Sequence, residues 1–251
     1  MPPTGPPTER EIWMIARRTI DIIEFNITSN VCLFGSAASS LWTDIGRVPQ
    51  VCATSYIMSL SNSNPFTTQD IDIVVTPDSY ESLDAEEIAE EIKETIVQAD
   101  DRYFLQPPKS RWATYQILYC RLRGWKTNGR CVKVDILVPP TLELPEVLSS
   151  DTVLINGISV MPLFDLLVMK TKGWWDHSTS FRPDFRDKEA TDVSDIYALL
   201  DHAKDENVSY DYELYEDRHQ DGFMDLAHDL SRRFVGVYGR PGQWRRLGFP
   251  I

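Results

Sequence analysis

Two stretches in the first hundred residues repeat apolar positions every three or four residues, which predicts two amphipathic helices. The first follows a capping box from Thr8 to Glu11 and carries apolar residues on one side: Ile12, Ile15, Ile20 and Ile23. The second follows Asp84 in the same manner, with acidic residues on its other side and a comparable apolar set: Ile88, Ile92, Ile96 and Ala99. Each helix is therefore expected to pack one face against a core.

Short apolar runs predict strands in the first part of the chain. They lie at residues 31–34, 73–75, 102–105, 112–122 and 131–138. From Met161 onward the apolar spacing becomes helical. This order predicts a disordered Pro-rich tail at residues 1–8, a mixed α/β domain at residues 9–160 and a mostly helical domain at residues 161–251, with a cleft between the two domains.

Polar residues accompany three of these apolar runs in a pattern that is typical of nucleotide chemistry. Gly35-Ser36 follows the first run, Asp70 and Asp72 precede the second, and Asp135 lies inside the last. Because successive side chains of a strand point to opposite faces, Asp70 and Asp72 are expected on one face, about 7 Å apart. Magnesium favours a few carboxylate oxygens together with substrate phosphates, and a glycine at a helix N terminus lets a phosphate approach closely. A nucleotide-binding metal site follows if the Asp135 strand lies alongside.

A Gly-Ser turn, an Asp-x-Asp strand and a third Asp on a later strand, in this order, resemble the DNA polymerase β-type nucleotidyltransferase superfamily. The eight residues from Gly35, followed later by Asp70-x-Asp72, are more narrowly similar to the minimal nucleotidyltransferases that include toxins of bacterial toxin–antitoxin pairs. The resemblance implies an α+β fold in which helices flank a mixed sheet and a mostly helical half follows.

The same resemblance implies a role for each polar position. Gly35 and Ser36 would contact the β- or γ-phosphate of a nucleoside triphosphate, the donor substrate. Asp70, Asp72 and Asp135 would form the catalytic metal site for Mg²⁺ or Mn²⁺, and Asp135 would also assist deprotonation of the acceptor hydroxyl.

A second stretch resembles the helical half of the toxin-like group, where a helix ending in lysine and a later Asp-x-x-Asp complete the active site. The corresponding residues are Lys170, expected to bind nucleotide and to assist catalysis, and the catalytic Asp192. The alternative is that Lys170 complements a helix dipole and Asp192 caps a helix. The chain departs from the group in a longer segment at residues 46–68 and in Gln69, where many relatives have threonine.

The formal net charge of −13 restricts the expected partners. Proteins that hold long nucleic acid by its phosphates usually present a basic face, so no extensive duplex nucleic acid is expected. The acceptor is left as a small molecule, a protein or a tRNA end. The C-terminal segment is the exception, because its arginines lie beyond the last acidic residue and could clamp a phosphate-rich partner: Arg232, Arg233, Arg240, Arg245 and Arg246.

The chain shows no signal-like apolar start and no apolar run of bilayer length, so a cytoplasmic protein without a membrane partner is expected. The sequence thus predicts a transferase that binds ATP or another nucleoside triphosphate. It would move the nucleoside monophosphate to an acceptor hydroxyl and release pyrophosphate. The alternative is a noncatalytic nucleotide-binding or protein-interaction module on the same fold, against which the presence of all three carboxylates argues.

Overall fold

The computed structural model describes residues 7–44, 70–79, 84–108, 114–122, 130–210 and 222–251. Most of the predicted Pro-rich tail and the longer segment at residues 46–68 lie outside these ranges. The strands are β1 (Val31–Phe34), β2 (Ile71–Val75), β3 (Tyr103–Gln106), β4 (Ile117–Arg121), β5 (Cys131–Leu137), β6 (Val153–Ile155) and β7 (Ile158–Val160). The helices are α1 (Glu9–Asn26), α2 (Gly35–Asp44), α3 (Ala85–Ala99), α4 (Leu163–Ser178), α5 (Pro183–Arg186), α6 (Glu189–Asp205), α7 (Phe223–Tyr238) and α8 (Pro241–Arg246).

Helices α1 and α3 begin where the sequence predicts. The Glu11 amide donates to Thr8 Oγ1 at 3.3 Å, and the Glu11 carboxylate accepts from the Thr8 amide at 2.8 Å. Asp84 and Glu87 form the same reciprocal pair at the start of α3. Both helices bury their isoleucine faces and contact each other, and α1 also packs on β1, β2 and β7. These caps satisfy amide groups that the first helical turn leaves without partners.

The strands of the described residues form one mixed sheet in the order β3-β4-β5-β2-β1-β7-β6. Strand β2 lies between β1, which is antiparallel to it, and β5, which is parallel. Strands β1 and β2 are apolar along almost their whole length and are buried, as expected for central strands. The α+β fold with a mixed sheet and flanking helices is therefore confirmed.

The sheet also contains a hairpin, β6–β7, that the pattern of strands did not predict. Its turn is Asn156-Gly157, with φ values of 52° and 76°. Both values lie in the left-handed region that a two-residue hairpin turn requires, and Asn-Gly is the preferred sequence for it. A second correction concerns the strand expected at residues 112–122: the strand begins at Ile117, residues 114–116 are outside any strand, and residues 112–113 lie outside the described ranges.

The described residues after β7 are mostly helical, as predicted, and contain a cluster of aromatic rings. The ring of Phe234 on α7 lies 5.1 Å from Trp174 on α4 and 5.9 Å from Trp244 on α8. Buried apolar residues form a continuous cluster from Ile12 to Phe249, so the core of the sheet runs into that of the helices. The predicted division into two domains at residue 160 stays a prediction. Among the described residues, no helix is long and apolar enough to cross a bilayer.

Candidate active site

The register of β2 and β5 brings the predicted carboxylates together. Asp72 pairs directly with Asp135 across the two parallel strands, and Asp70 precedes Asp72 by two residues. Residues that pair directly point to the same face of a sheet, as do residues two apart on one strand. All three carboxylates therefore lie on one face, at the point where β2 begins. The Asp135 strand thus lies alongside the strand of Asp72, which a shared metal site requires.

Gly35 is placed against this group by the pairing of β1 with β2. Phe34 pairs with Asp72, so the residue that ends β1 lies beside the central carboxylate. Gly35 has a φ of 69°, and a Cβ added to it would lie 2.1 Å from Asp72 Oδ2. Only glycine combines this backbone conformation with so close an approach. The turn thus brings the N terminus of α2 next to Asp72.

Ser36 lies in the first turn of α2 and joins it to the helical part of the chain. Lys170 Nζ donates to Ser36 Oγ at 2.8 Å and to Asp195 Oδ2 at 2.7 Å, while Ser36 Oγ donates to Asp195 Oδ2 at 3.2 Å. The Lys170 side chain is 8% exposed. A largely buried ammonium group and the amide groups of a helix N terminus are a combination that favours phosphate.

Asp192 does not share these contacts. Its Oδ2 lies 2.5 Å from His177 Nδ1, whereas the acid that contacts Lys170 and Ser36 is Asp195, one turn further along α6. Burial raises the pKa of Asp192, and the hydrogen bond with His177 opposes this rise. The structure therefore places Lys170 in direct contact with Ser36, and the acid that contacts both is Asp195. The catalytic role of Asp192 stays a prediction.

Two of the carboxylates on the sheet are poorly neutralised. Burial, with the nearby charges of Asp135 and Asp70, raises the pKa of Asp72 to about 7. Burial also raises the pKa of Asp70, against the opposing charges of Lys133 and Lys188. Like charges that lie close together away from water disfavour ionisation. A cation bound beside these carboxylates would therefore stabilise their ionised form.

Lys133 is a site residue that the sequence analysis missed. It precedes Asp135 by two residues on β5, and its Nζ lies 2.5 Å from Asp135 Oδ2 and 3.5 Å from Asp70 Oδ2. The alternation in Val-Lys-Val-Asp predicts that both side chains share a face. That signal was available in the sequence and points to a cation beside the carboxylates.

The donor chemistry of the three carboxylates suits Mg²⁺ or Mn²⁺, which bind hard oxygen ligands. One observation tests this fit directly: Asp70 Oδ1 is shielded from solvent and has no hydrogen-bond partner within the described parts of the chain. A buried carboxylate oxygen without a partner is costly unless a ligand completes it. Across the same residues, no three His, Cys, Asp or Glu side chains already converge on one point. The three carboxylates are therefore adjacent on the sheet, but their oxygens do not yet surround a common point.

Several of the C-terminal arginines have partners within the chain. Arg233 Nε donates to Asp229 at 2.6 Å, Arg240 Nη1 lies 3.2 Å from Asp201, and Arg245 Nε donates to the Ile251 carbonyl at 2.6 Å. Exposed pairs of this kind compete only weakly with a phosphate. The predicted clamp for a phosphate-rich partner stays a prediction.

Comparison with known proteins supports the fold. No family model matches the chain, and no curated protein matches it. Among solved structures, the chain is similar to an antigenic nucleotidyltransferase-like protein from Paracoccidioides brasiliensis, with a TM-score of 0.56 and 16% identity over 99% of this chain and 96% of that one. At this identity the likeness shows a shared fold and no more.

Two further likenesses are weaker. Cid1 in complex with the UTP analogue UMPNPP matches with a TM-score of 0.27 and 16% identity, over 67% of this chain and 41% of that chain. A mutant of the Cid1 poly(U) polymerase bound to MgATP matches with a TM-score of 0.29 and 19% identity, over 70% and 45% of the two chains. These scores are too low to support an argument about this protein.

Proposed function

We propose that the protein is a metal-dependent nucleotidyltransferase that moves a nucleoside monophosphate from a nucleoside triphosphate to an acceptor hydroxyl and releases pyrophosphate. The observation that carries the proposal is the meeting of two groups at one end of the sheet. The acidic group comprises Asp70, Asp72 and Asp135, and beside it lies the phosphate-binding combination of Ser36 and Lys170. The shared fold with a nucleotidyltransferase-like protein agrees with this assignment.

The triphosphate would bind at the N terminus of α2. Gly35 permits close approach of the backbone, Ser36 Oγ can donate to a phosphate oxygen, and Lys170 offsets the negative charge that develops on the leaving pyrophosphate. Asp195 holds Lys170 toward Ser36 before the substrate arrives. A triphosphate that accepts from Lys170 and Ser36 would therefore have to replace the contacts that Asp195 makes with them.

The carboxylates would hold one or two Mg²⁺ or Mn²⁺ ions. A bound pair of such ions stabilises the attacking and leaving oxygens of an in-line displacement. Asp70, just before β2, and Asp72, within it, would provide ligands, and Asp135 would provide one from the neighbouring β5. Asp135 would also accept the proton of the acceptor hydroxyl, a role that its side chain, 32% exposed, leaves within reach of a substrate.

The acceptor class remains a small molecule, a protein or a tRNA end. The formal net charge of −13 favours the first two, because it opposes approach of a polyanion. The similarity to toxin-like nucleotidyltransferases, and a cytoplasmic location, stay predictions.

The test compares labels at two positions of the donor. Each of the four nucleoside triphosphates, labelled at the α- or the γ-phosphate, is incubated with the protein, Mg²⁺ and candidate acceptors of each class. We expect the α-label to reach an acceptor while the γ-label appears in pyrophosphate. Transfer of the γ-label would instead identify a kinase. An α-label that stays in free nucleoside mono- or diphosphate, with the γ-label in phosphate or pyrophosphate and no label on an acceptor, would identify a hydrolase.

A further inference from the structure

Lys133 projects from β5 on the same face as the proposed metal ligands. Continuing the register of β2 and β5 by one residue places it beside Asp70, just as Asp135 lies beside Asp72. The four side chains thus form a two-by-two array across neighbouring strands, in which three corners are acidic. The ammonium group contacts two of these acids, at 2.5 Å from Asp135 Oδ2 and 3.5 Å from Asp70 Oδ2.

This contact differs from an ordinary surface ion pair. The Lys133 side chain is only 28% exposed. Burial opposes its charged form, but the hydrogen bond to Asp135 and the surrounding carboxylates raise its pKa. An ammonium group held among carboxylates in this way stabilises their ionised forms, which water solvates only in part.

The position of Lys133 also accounts for two features of the acidic group. The carboxylates do not converge within the described residues, although they are adjacent, and Asp70 Oδ1 has no partner there although Asp70 Oδ2 faces the lysine. One ammonium group cannot satisfy two carboxylates as a divalent ion can, because it is singly charged and directs its protons to separate acceptors. A divalent ion that bound Asp135 Oδ2 would need the oxygen that Lys133 now holds.

We propose that Lys133 is the resident counter-ion of the carboxylates in the metal-free protein, and that a divalent cation binds only when the lysine leaves Asp135. This inference rests on the proposed function, since it concerns the same metal site. Lys133 is then a positioning residue. It keeps the acids in place without metal, and it lowers their apparent affinity for metal by competing for the same oxygen.

The test measures binding of Mn²⁺ alone by the loss of the free-ion signal in electron paramagnetic resonance. Native protein is compared with Lys133→Met and with a control, Lys172→Met, which removes a lysine that pairs with Asp176 and Glu143 outside the acidic array. We expect Lys133→Met to bind Mn²⁺ about tenfold more tightly, as for a site that is otherwise free in about a tenth of molecules. The control should bind like the native protein.

A second measurement avoids any variant that fails to fold. Native protein is treated with an amine-specific reagent, and modification of Lys133 is quantified by mass spectrometry with and without Mn²⁺. We expect Mn²⁺ to increase modification of Lys133, because the released ammonium group loses its carboxylate partners, while Lys172 is unaffected.

The outcomes separate this inference from the proposed function. Native protein that binds Mn²⁺, with equal or weaker binding by Lys133→Met or with no rise in Lys133 modification, would overturn the counter-ion role and leave the transferase proposal standing. If neither folded native protein nor the variant binds Mn²⁺, the counter-ion role and the metal site both fail.

Discussion

Two carboxylates of this protein, Asp100 and Asp72, have opposite electrostatic surroundings. Asp100 follows α3 and accepts hydrogen bonds from Arg18 at 3.1 Å and from Arg102 at 2.6 Å. The hydrogen bonds from Arg102 hold the pKa of Asp100 well below its usual range. Asp72 lies on the same face as Asp70 and Asp135, and burial together with the charges of these two acids raises its pKa to about 7.

The difference separates a completed structural contact from an incomplete site. The arginines of the chain already neutralise Asp100, so its ion pairs stabilise the fold. Asp72 lies among acids that the charges of Lys170 and Lys133 neutralise only in part, so folding leaves a free-energy cost there that a bound cation can remove. Proteins retain such costs mainly where they serve a ligand.

The largest expected effect comes from removing the central acid of the site. Asp72→Asn should lower the rate of nucleotide transfer by at least about 10³-fold, because a metal ligand supplies several kcal/mol of transition-state stabilisation. Asp100→Asn serves as the control. It should keep the native rate per folded molecule but lose about 1 kcal/mol of stability, as expected for an ion-paired acid with partly exposed partners. Steady-state kinetics and urea denaturation measure the two effects, and equal loss of rate in both variants would remove the distinction.

Gly35→Ala should produce the next largest effect, because the added Cβ would lie 2.1 Å from Asp72 Oδ2 and displace that carboxylate. We expect a loss of rate of about 10²-fold, together with about 1–2 kcal/mol of stability for a left-handed residue that is not glycine. Gly157→Ala, at a φ of 76° in the β6–β7 turn, is the matched control for backbone strain. If both variants lose rate equally, the close approach to Asp72 has no special role.

The pH dependence of stability should have opposite signs at the two acids. The folded-state pKa of Asp72, about 7, exceeds the ordinary 3.8, so the folded protein retains a proton that the unfolded chain releases. Its contribution to stability therefore falls as pH rises from about 4 to 7, by up to about 1.4 kcal/mol per pH unit. Asp72→Asn should remove this decline in metal-free protein.

The contribution of Asp100 runs the other way. Because its folded-state pKa is lowered, its contribution is present above the ordinary pKa of an aspartate and is lost as pH falls below that value. Urea denaturation in chelator across pH 3–8 measures both contributions. A decline between pH 4 and 7 that persists in Asp72→Asn would show that another group causes it.

Ser36→Ala should have the smallest effect of the site variants. Loss of one hydroxyl that donates to a phosphate should weaken binding of the triphosphate about tenfold, since such a hydrogen bond contributes about 1–1.5 kcal/mol. Ser40→Ala, at a partly buried position further along α2, is the control. Equal binding by native protein and Ser36→Ala would exclude the contact with phosphate.

The sequence predicts the fold class and the acidic group because both depend on local patterns that the core enforces. Capping boxes and isoleucine spacing define α1 and α3, and the alternation of side chains along a strand places Asp70 and Asp72 on one face. Such patterns do not distinguish two acids that lie one turn apart on or beside the same helix face. Asp192 and Asp195 are one turn apart on α6, and only tertiary packing decides that Asp195 contacts Lys170.

Two other features are marked by short patterns in the sequence. Asn156-Gly157 marks the β6–β7 hairpin, and the alternation at Lys133 places that side chain beside Asp135. The pairing of β1 with β7 could not be predicted, because each short strand fits several neighbours and their order depends on the whole sheet.

The central claim is that the acids on β2 and β5 bind a metal–nucleotide complex. Calorimetric titration of each nucleoside triphosphate with Mg²⁺, on native protein and on the double variant Asp70→Asn/Asp72→Asn, tests it most directly. We expect Mg²⁺-dependent binding of at least one triphosphate by native protein and a marked loss of that binding in the variant. Folded native protein that binds no triphosphate, or binding that is equal in the variant, would contradict the account.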